Sequence, residues 1–218
     1  MGKKADVMVV GLGRFGAAAA EGLLDLDQNV IGVDSDLTLV QRYANLLNEA
    51  VQVDATDIDA MRLIGGAEVG SAIVAIGHDI EASILAASVL LELGVPRVWA
   101  KAVSARHGQI LERIGVHRVV FPEADMGDRV AHGMVGRALD FVLLDPDFAM
   151  AETTAPNAAI GRSLGELGIR SRYDVTVICT KPPGEQFRLT DADTVLGPDD
   201  RLLVIGEKDN VERFARLD

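Results

Sequence analysis

Hydrophobic residues in the first 140 positions of the chain follow two alternating patterns. Short, almost wholly apolar runs occupy Val7–Val10, Val30–Val33, Val51–Val53, Ala72–Ile76, Arg97–Ala100 and Arg118–Phe121. Several lack the polar alternate positions of a strand with one wet face, which predicts parallel strands covered by helices on both sides. Between them, Arg14–Leu26, Asp36–Leu47, Ile58–Ile64, Ile80–Leu93 and Ser104–Ile114 carry apolar residues at helical spacing. Short linkers rich in Gly and Asp join the segments. Six strands with intervening helices predict an α/β fold, a Rossmann-like doubly wound parallel sheet ordered 3-2-1-4-5-6.

After Glu123 the rhythm changes. Asp125–Leu144 predicts one long helix in spite of Gly127, Gly133 and Gly136, which lower its intrinsic helicity. Asp145-Pro-Asp147 then breaks the chain, predicting a domain boundary and a hinge, with domains 1–144 and 145–218. The remainder predicts a small α+β domain. Its strands are expected at Phe148–Thr154, Val175–Lys181, Gln186–Leu189 and Arg201–Ile205, and its helices at Ser163–Leu167 and Asn210–Arg216. Such a module has too little apolar sequence for a large substrate cavity.

Composition narrows the function. At 218 residues the chain can bury two cores. A net charge of −12 argues against binding a nucleic acid polymer, which needs clustered Lys and Arg. Cys179 is the single cysteine, so no internal disulfide can form, and its apolar neighbours Val175–Ile178 predict a buried strand position. The first residues run into a strand with no signal-peptide core, and nowhere do 18 apolar residues follow one another. The expectation is a cytoplasmic protein that reaches a membrane only through a partner.

The first predicted strand runs into Gly11-Leu-Gly-Arg-Phe-Gly16, the second ends at Asp34, and a helix follows the glycines. That context turns a weak glycine motif into a dinucleotide fingerprint. Gly11 permits the tight turn, Gly13 lets backbone N–H groups approach phosphate, and Gly16 lets the helix pack closely. The helix N-terminus adds partial positive charge. Asp34 is expected to accept hydrogen bonds from ribose hydroxyls, and its carboxylate disfavours the 2′-phosphate of NADP.

The carboxyl ends of parallel strands open onto one crevice, and polar residues collect at the other strand ends. The third strand ends at Val53-Asp-Ala-Thr56, the fourth at Ala75-Ile-Gly77, the fifth at Lys101 and the sixth at Phe121-Pro-Glu123. Asp54 either reads the adenine side of a ligand or caps the next helix. Lys101 is expected as a phosphate partner. Arg14, inside the glycine loop, can bind a terminal phosphate bidentately, which suits ATP or ADP better than a hydride carrier. Glu123 could share Mg²⁺, Ca²⁺ or Na⁺ with the nucleotide, although one carboxylate cannot make such a site alone. His78, His107, His117 and His132 show no shared ligand spacing and are expected in structural or surface roles.

These segments together resemble the RCK subunits (regulators of conductance of potassium) of the KtrA/TrkA type. The resemblance rests on Val10–Gly16, Val74–Ser83, Val98–Ala102, Leu111–Gly115 and Phe121–Gly127, in matching order and spacing, with a looser match over Ile169–Tyr173 and Asp200–Gly206. It implies a gating subunit rather than an enzyme, a dimer assembling into an octameric ring beneath a potassium-conducting membrane subunit. It further implies switching by ATP and ADP, with NAD(H) able to occupy the same site. By position the nucleotide ligands would be Gly11, Gly13, Arg14, Phe15, Gly16, Asp34, Asp54, Ala55, Thr56, Ile76, Gly77, Lys101 and Glu123, with Glu123 also near a cation. The small domain of such proteins often binds cyclic di-AMP, which would fall on Ile169, Arg170, Tyr173 and Asp174. The family's Asn after the aromatic is displaced here by Val175-Thr176, and an ordinary dimer-forming module is the alternative. Two other readings use the same core. One is an NAD-dependent oxidoreductase, disfavoured because no Tyr-x-x-x-Lys pair or His/Asp acid–base couple is evident. The other is a pure oligomerisation scaffold.

Overall fold

The computed structural model describes residues 6–134 and 138–217. The chain forms two compact units, Met1–Glu123 and Ala124–Asp218. In the first, β1 (Val7–Val10), α1 (Arg14–Asp25), β2 (Val30–Asp34), α2 (Leu37–Tyr43), β3 (Glu49–Gln52) and α3 (Ile58–Leu63) follow one another. Then come β4 (Ser71–Val74), α4 (Ile80–Glu92), β5 (Val98–Lys101), α5 (Ala105–Arg113) and β6 (Arg118–Val120), and α6 (Pro122–Gly133) begins at the end of this unit and continues into the second. The six strands are parallel and ordered β3-β2-β1-β4-β5-β6, the predicted doubly wound sheet.

Strand alternation sorts the two faces. Val9 and Val30 pack with Leu12, Ala20, Val40 and Leu47 in a cluster under α1 and α2. Met8, Val10 and Val74 point the other way, into a larger cluster with Met61 of α3, Ala86 and Leu90 of α4 and Leu111 of α5. Both faces of the central strands are dry, which is why β1 reads as four consecutive buried apolar residues. The strand order reverses between β1 and β4, so the connections leaving their carboxyl ends run to opposite sides of the sheet, the place where a doubly wound fold is expected to take a ligand.

The long helix predicted over Asp125–Leu144 does not form. Its first half is α6; its second half is β7 (Ala138–Asp145), an edge strand pairing antiparallel with β8 (Phe148–Thr154), Phe141 opposite Ala151 and Val142 opposite Met150. Asp145–Asp147 is accordingly the tip of the β7–β8 hairpin, not a domain boundary or hinge, and the second unit already begins at Ala124. Gly136, one of the three glycines in that segment, lies outside the described residues.

Beyond β8 the second unit contains α7 (Leu164–Leu167), α8 (Ile169–Tyr173), β9 (Val175–Lys181), β10 (Arg188–Leu189), β11 (Arg201–Glu207) and α9 (Lys208–Phe214). Its antiparallel sheet is ordered β10-β9-β11-β8-β7 and carries a core of Phe141, Ala151, Val177, Leu202, Val204, Val211 and Phe214. Ser163 and Glu166 form a reciprocal capping box that starts α7 where the sequence predicts it. Cys179 is half-buried on β9, less enclosed than predicted.

Candidate functional site

The glycine loop has the geometry its three glycines require. Gly11 adopts φ of +95°, and a Cβ there would lie 3.1 Å from the Ala75 carbonyl carbon, so both conformation and space demand glycine. A Cβ on Gly16 would fall 1.8 Å from the Gly11 carbonyl oxygen; α1 sits directly against the loop. Gly13 is different. Among the described residues no atom lies within 4 Å of its Cβ position, so no steric contact there explains this glycine.

Helices α2, α3, α4 and α5 each begin with a side-chain cap, from Asp36, Asp57, Asp79 and Ser104 respectively. Gly13 gives α1 no such cap, and its first turn holds no acidic residue. The positive end of this 12-residue helix therefore carries neither a side-chain cap nor a first-turn carboxylate.

Asp34 closes the loop from the end of β2. Its Oδ2 accepts the Leu12 N–H at 2.7 Å and its Oδ1 accepts the Asp36 N–H at 2.9 Å. Each oxygen retains a further lone pair, so the carboxylate can brace the loop and still accept from a ligand hydroxyl.

Of the two roles open to Asp54, helix capping is excluded: Asp57 is the N-cap of α3, accepting from the Asp59 and Ala60 N–H groups. Asp54 instead accepts the Thr56 N–H at 3.0 Å and the Thr56 hydroxyl at 2.7 Å. Those two bonds, the backbone one foremost, hold its carboxyl below the ordinary carboxylate value. Ala55 between them is buried in the larger core cluster.

The ends of β5 and β6 supply the other charges. Lys101 is only 9% exposed, and its ammonium donates to Oε1 of Glu123 while lying 5.8 Å from the centre of the Phe15 ring. The bond from Lys101 holds the Glu123 carboxyl below its ordinary value, with the charges of Lys101 and Arg14 adding to the effect. Gly77 matters here, because a Cβ on it would meet Lys101 Nζ at 3.1 Å. Arg14 is exposed at the start of α1. Phe15, Gly77, Lys101 and Glu123 thus converge from four elements, whereas Ile76 packs against the core beneath.

A resident cation fits less well. Glu123 is the only carboxylate in this contact, it is engaged by Lys101, and no group of three or more His, Cys, Asp or Glu side chains that could hold a metal exists among the described residues. Histidines bear out their structural reading at two places: His117 Nδ1 accepts the Val98 N–H at 3.0 Å, and His132 stacks on Phe141 at 4.0 Å.

The four residues associated with cyclic di-AMP lie in the second unit. Ile169 is buried in its core, and Tyr173 packs edge-on against Phe214 at 5.5 Å, leaving Arg170 and Asp174 exposed. The sequence marked His107 only as structural or surface and did not single out Gly108; in the structure His107 accepts the Val103 N–H, and Gly108 lies against the Phe121 ring. The available signal was a glycine inside an amphipathic helix, which is costly unless something packs close to it.

The TrkA-N domain model matches residues 7–122 and the TrkA-C domain model residues 149–217. The Ktr system potassium uptake protein C of Bacillus subtilis is 34% identical over 214 residues, covering 98% of this chain and 97% of the relative. The Ktr system potassium uptake protein A of the same organism is 30% identical over 97% of this chain and 96% of its own. Among solved structures, the GsuK RCK domain superposes with a TM-score of 0.70 at 18% identity, over 98% of this chain and 48% of that one. The GsuK channel bound to NAD superposes with 0.69 at 17% identity, over 98% and 39%. GsuK bound to ADP gives 0.53 at 14%, over 61% and 35%. This chain therefore spans nearly the whole of the Ktr relatives but less than half of the GsuK chains, with which it shares the fold.

Proposed function

The chain belongs to the TrkA family that includes the Ktr potassium-uptake proteins, and on that premise we propose that it is a nucleotide-binding regulatory subunit of a potassium transport system, not an oxidoreductase. The observation that carries this reading is the uncapped start of α1, with Arg14 and Lys101 beside it and Asp34 at the neighbouring strand end. Two cations at an open helix N-terminus suit a chain of phosphates. Relatives in fold are described as bound to NAD and to ADP, which supports a nucleotide at this position.

The mechanism we infer is a population shift. ATP and ADP differ by one phosphoryl group, so they can bias two conformations only by binding them with different affinity. Arg14, exposed and mobile about several single bonds, is the group we assign to the terminal phosphate; Lys101 would exchange the Glu123 carboxylate for phosphate oxygens. Ala55, Thr56, Ile76 and Gly77 would line the adenosine, with Asp34 on the ribose. Coupling of about 1–3 kcal/mol is ordinary for such switches.

Assembly into dimers and an octameric ring, a cytoplasmic location, and a membrane subunit that conducts potassium are parts of the same proposal. No helix among the described residues is long and apolar enough to cross a membrane. For cyclic di-AMP the proposal narrows to Arg170 and Asp174, and calorimetry with that ligand tests it. The decisive experiment measures ATP, ADP and NADH binding to the purified chain and to Arg14→Gln, with solution scattering of each complex. We expect Arg14→Gln to erase the preference for ATP over ADP. Absence of nucleotide binding, turnover of NADH, or an ATP preference that survives in the variant would overturn the proposal.

A further inference from the structure

Lys101 and Glu123 sit at different strand ends. Lys101 is the last ladder residue of β5, opposite Val120 of β6, and the Ala102 N–H still donates to the Val120 carbonyl at 2.9 Å, whereas Val103 and the run Phe121–Glu123 lie past the paired positions. Behind both runs the first half of α5. His107 is 1% exposed, and its Nδ1 accepts the N–H of Val103, two residues after Lys101, at 3.4 Å. Gly108 is buried, and a Cβ on it would stand 2.4 Å from Cζ and 2.9 Å from Cε1 of Phe121, two residues before Glu123.

The geometry points to His107 and Gly108 as positioning residues for the Lys101–Glu123 pair, one holding the chain after β5 and the other admitting the ring that fixes the chain after β6. The inference rests on the proposed reading of that pair as the phosphate-side end of the nucleotide site. Consecutive residues of one helix thereby set two separate strand ends at a common distance. An imidazole whose Nδ1 accepts carries its proton on Nε2, and that atom is buried without a hydrogen-bond partner among the described residues. A buried polar atom left unsatisfied is unfavourable. An apolar side chain would avoid that cost, so burial alone does not account for a histidine here, whereas the acceptor at Nδ1 does. Burial lowers the basicity of the ring, which keeps it in the neutral form that can accept from Val103.

Amine labelling of the full chain, followed by peptide mass spectrometry, tests this without any nucleotide. Lys101 is shielded and paired, so it should label slowly, with Lys208 as the internal reference. Replacing His107 by Gln keeps an acceptor for Val103; replacing it by Phe does not. We expect H107Q to protect Lys101 as the parent chain does, H107F to label it about tenfold faster relative to Lys208, the factor expected for one lost hydrogen bond, and G108A to label it faster as well, through the clash with Phe121. Adding F121L to G108A removes the ring tip and should restore protection. Unchanged labelling of Lys101 in H107F and G108A overturns the inference. Lys208 lies in the second unit, so circular-dichroism melts of each variant first establish that the unit carrying Lys101 is folded. H107L, which also lacks the acceptor, replaces H107F if that variant unfolds, and if G108A unfolds the double variant decides: restored protection supports the notch, and fast labelling of Lys101 in the folded double variant overturns it. Parallel ATP titrations separate the two readings. A parent chain that fails to bind ATP sinks the nucleotide site, while the labelling pattern still judges the positioning role.

Discussion

The nearly buried ammonium of Lys101, at the end of β5, pairs with the carboxylate of Glu123 in the first turn of α6, 22 residues further along the chain. The same carboxylate feels Arg14 from the glycine loop, so one acidic group balances the two cations nearest the start of α1.

If phosphate must displace that carboxylate, removing its charge should help the ligand. Glu123→Gln is expected to bind ATP severalfold more tightly in buffer free of divalent cations, because Lys101 is released and a like-charge repulsion disappears. Calorimetry measures it. An unchanged or weaker affinity would show that phosphate does not compete for Lys101, and a loss of cation-dependent binding would restore Glu123 as a cation ligand shared with nucleotide.

Two glycines, six and three residues beyond β1's last position, separate folding from binding. Gly16→Ala drives a methyl into the Gly11 carbonyl, 1.8 Å away, and should cost about 1–3 kcal/mol or more of stability. Gly13→Ala meets nothing within 4 Å and keeps an ordinary backbone φ of −67°, so its melting temperature should match the parent while nucleotide affinity falls. Thermal melts with and without ATP distinguish the cases. Equal loss of stability in both variants would count against an open phosphate cradle at Gly13.

His107 makes stability depend on acidity with a definite sign. Burial lowers its pKa in the folded chain below the ordinary value of 6.5, so between those two values the unfolded chain binds the extra proton. Stability is complete above about pH 6.5 and declines as pH falls below it. Denaturant melts from pH 7.5 down to 5 should show that decline in the parent chain and a shallower one in His107→Gln. Identical slopes would mean the ring is not buried neutral.

In the second unit, Asp200 is 3% exposed and accepts the Gly197 N–H at 2.8 Å and the Thr180 hydroxyl at 3.3 Å. Asp200→Ala strands both donors beside β9 and β11, and should cost about 1–3 kcal/mol. Chemical denaturation of the chain reads this directly; a change below about 0.5 kcal/mol would show that the turn re-forms its bonds with water.

What the sequence determined by itself was whatever depends on neighbours in the chain. The alternation of dry β-branched runs with amphipathic helices gave six parallel strands and their order, and Gly11, Gly13 and Gly16 marked the loop, since turn conformation and helix starts are local properties. The tertiary structure decided what depends on distant partners. Residues 138–145 carry enough apolar residues for a helix, yet become β7 because β8 offers a hydrogen-bonded edge, and non-local pairing overrides local propensity. Asp54 stays open as a cap until the backbone shows that α3 begins after Asp57. His107 looked like one of four unremarkable histidines because burial, and the close approach of Phe121 to Gly108, exist only once β6 has been laid beside β5. Lys101 and Glu123 were each legible as polar residues at strand ends. Their pairing was not, because an ion pair is set by the distance between two side chains, and only the packed sheet brings those two together.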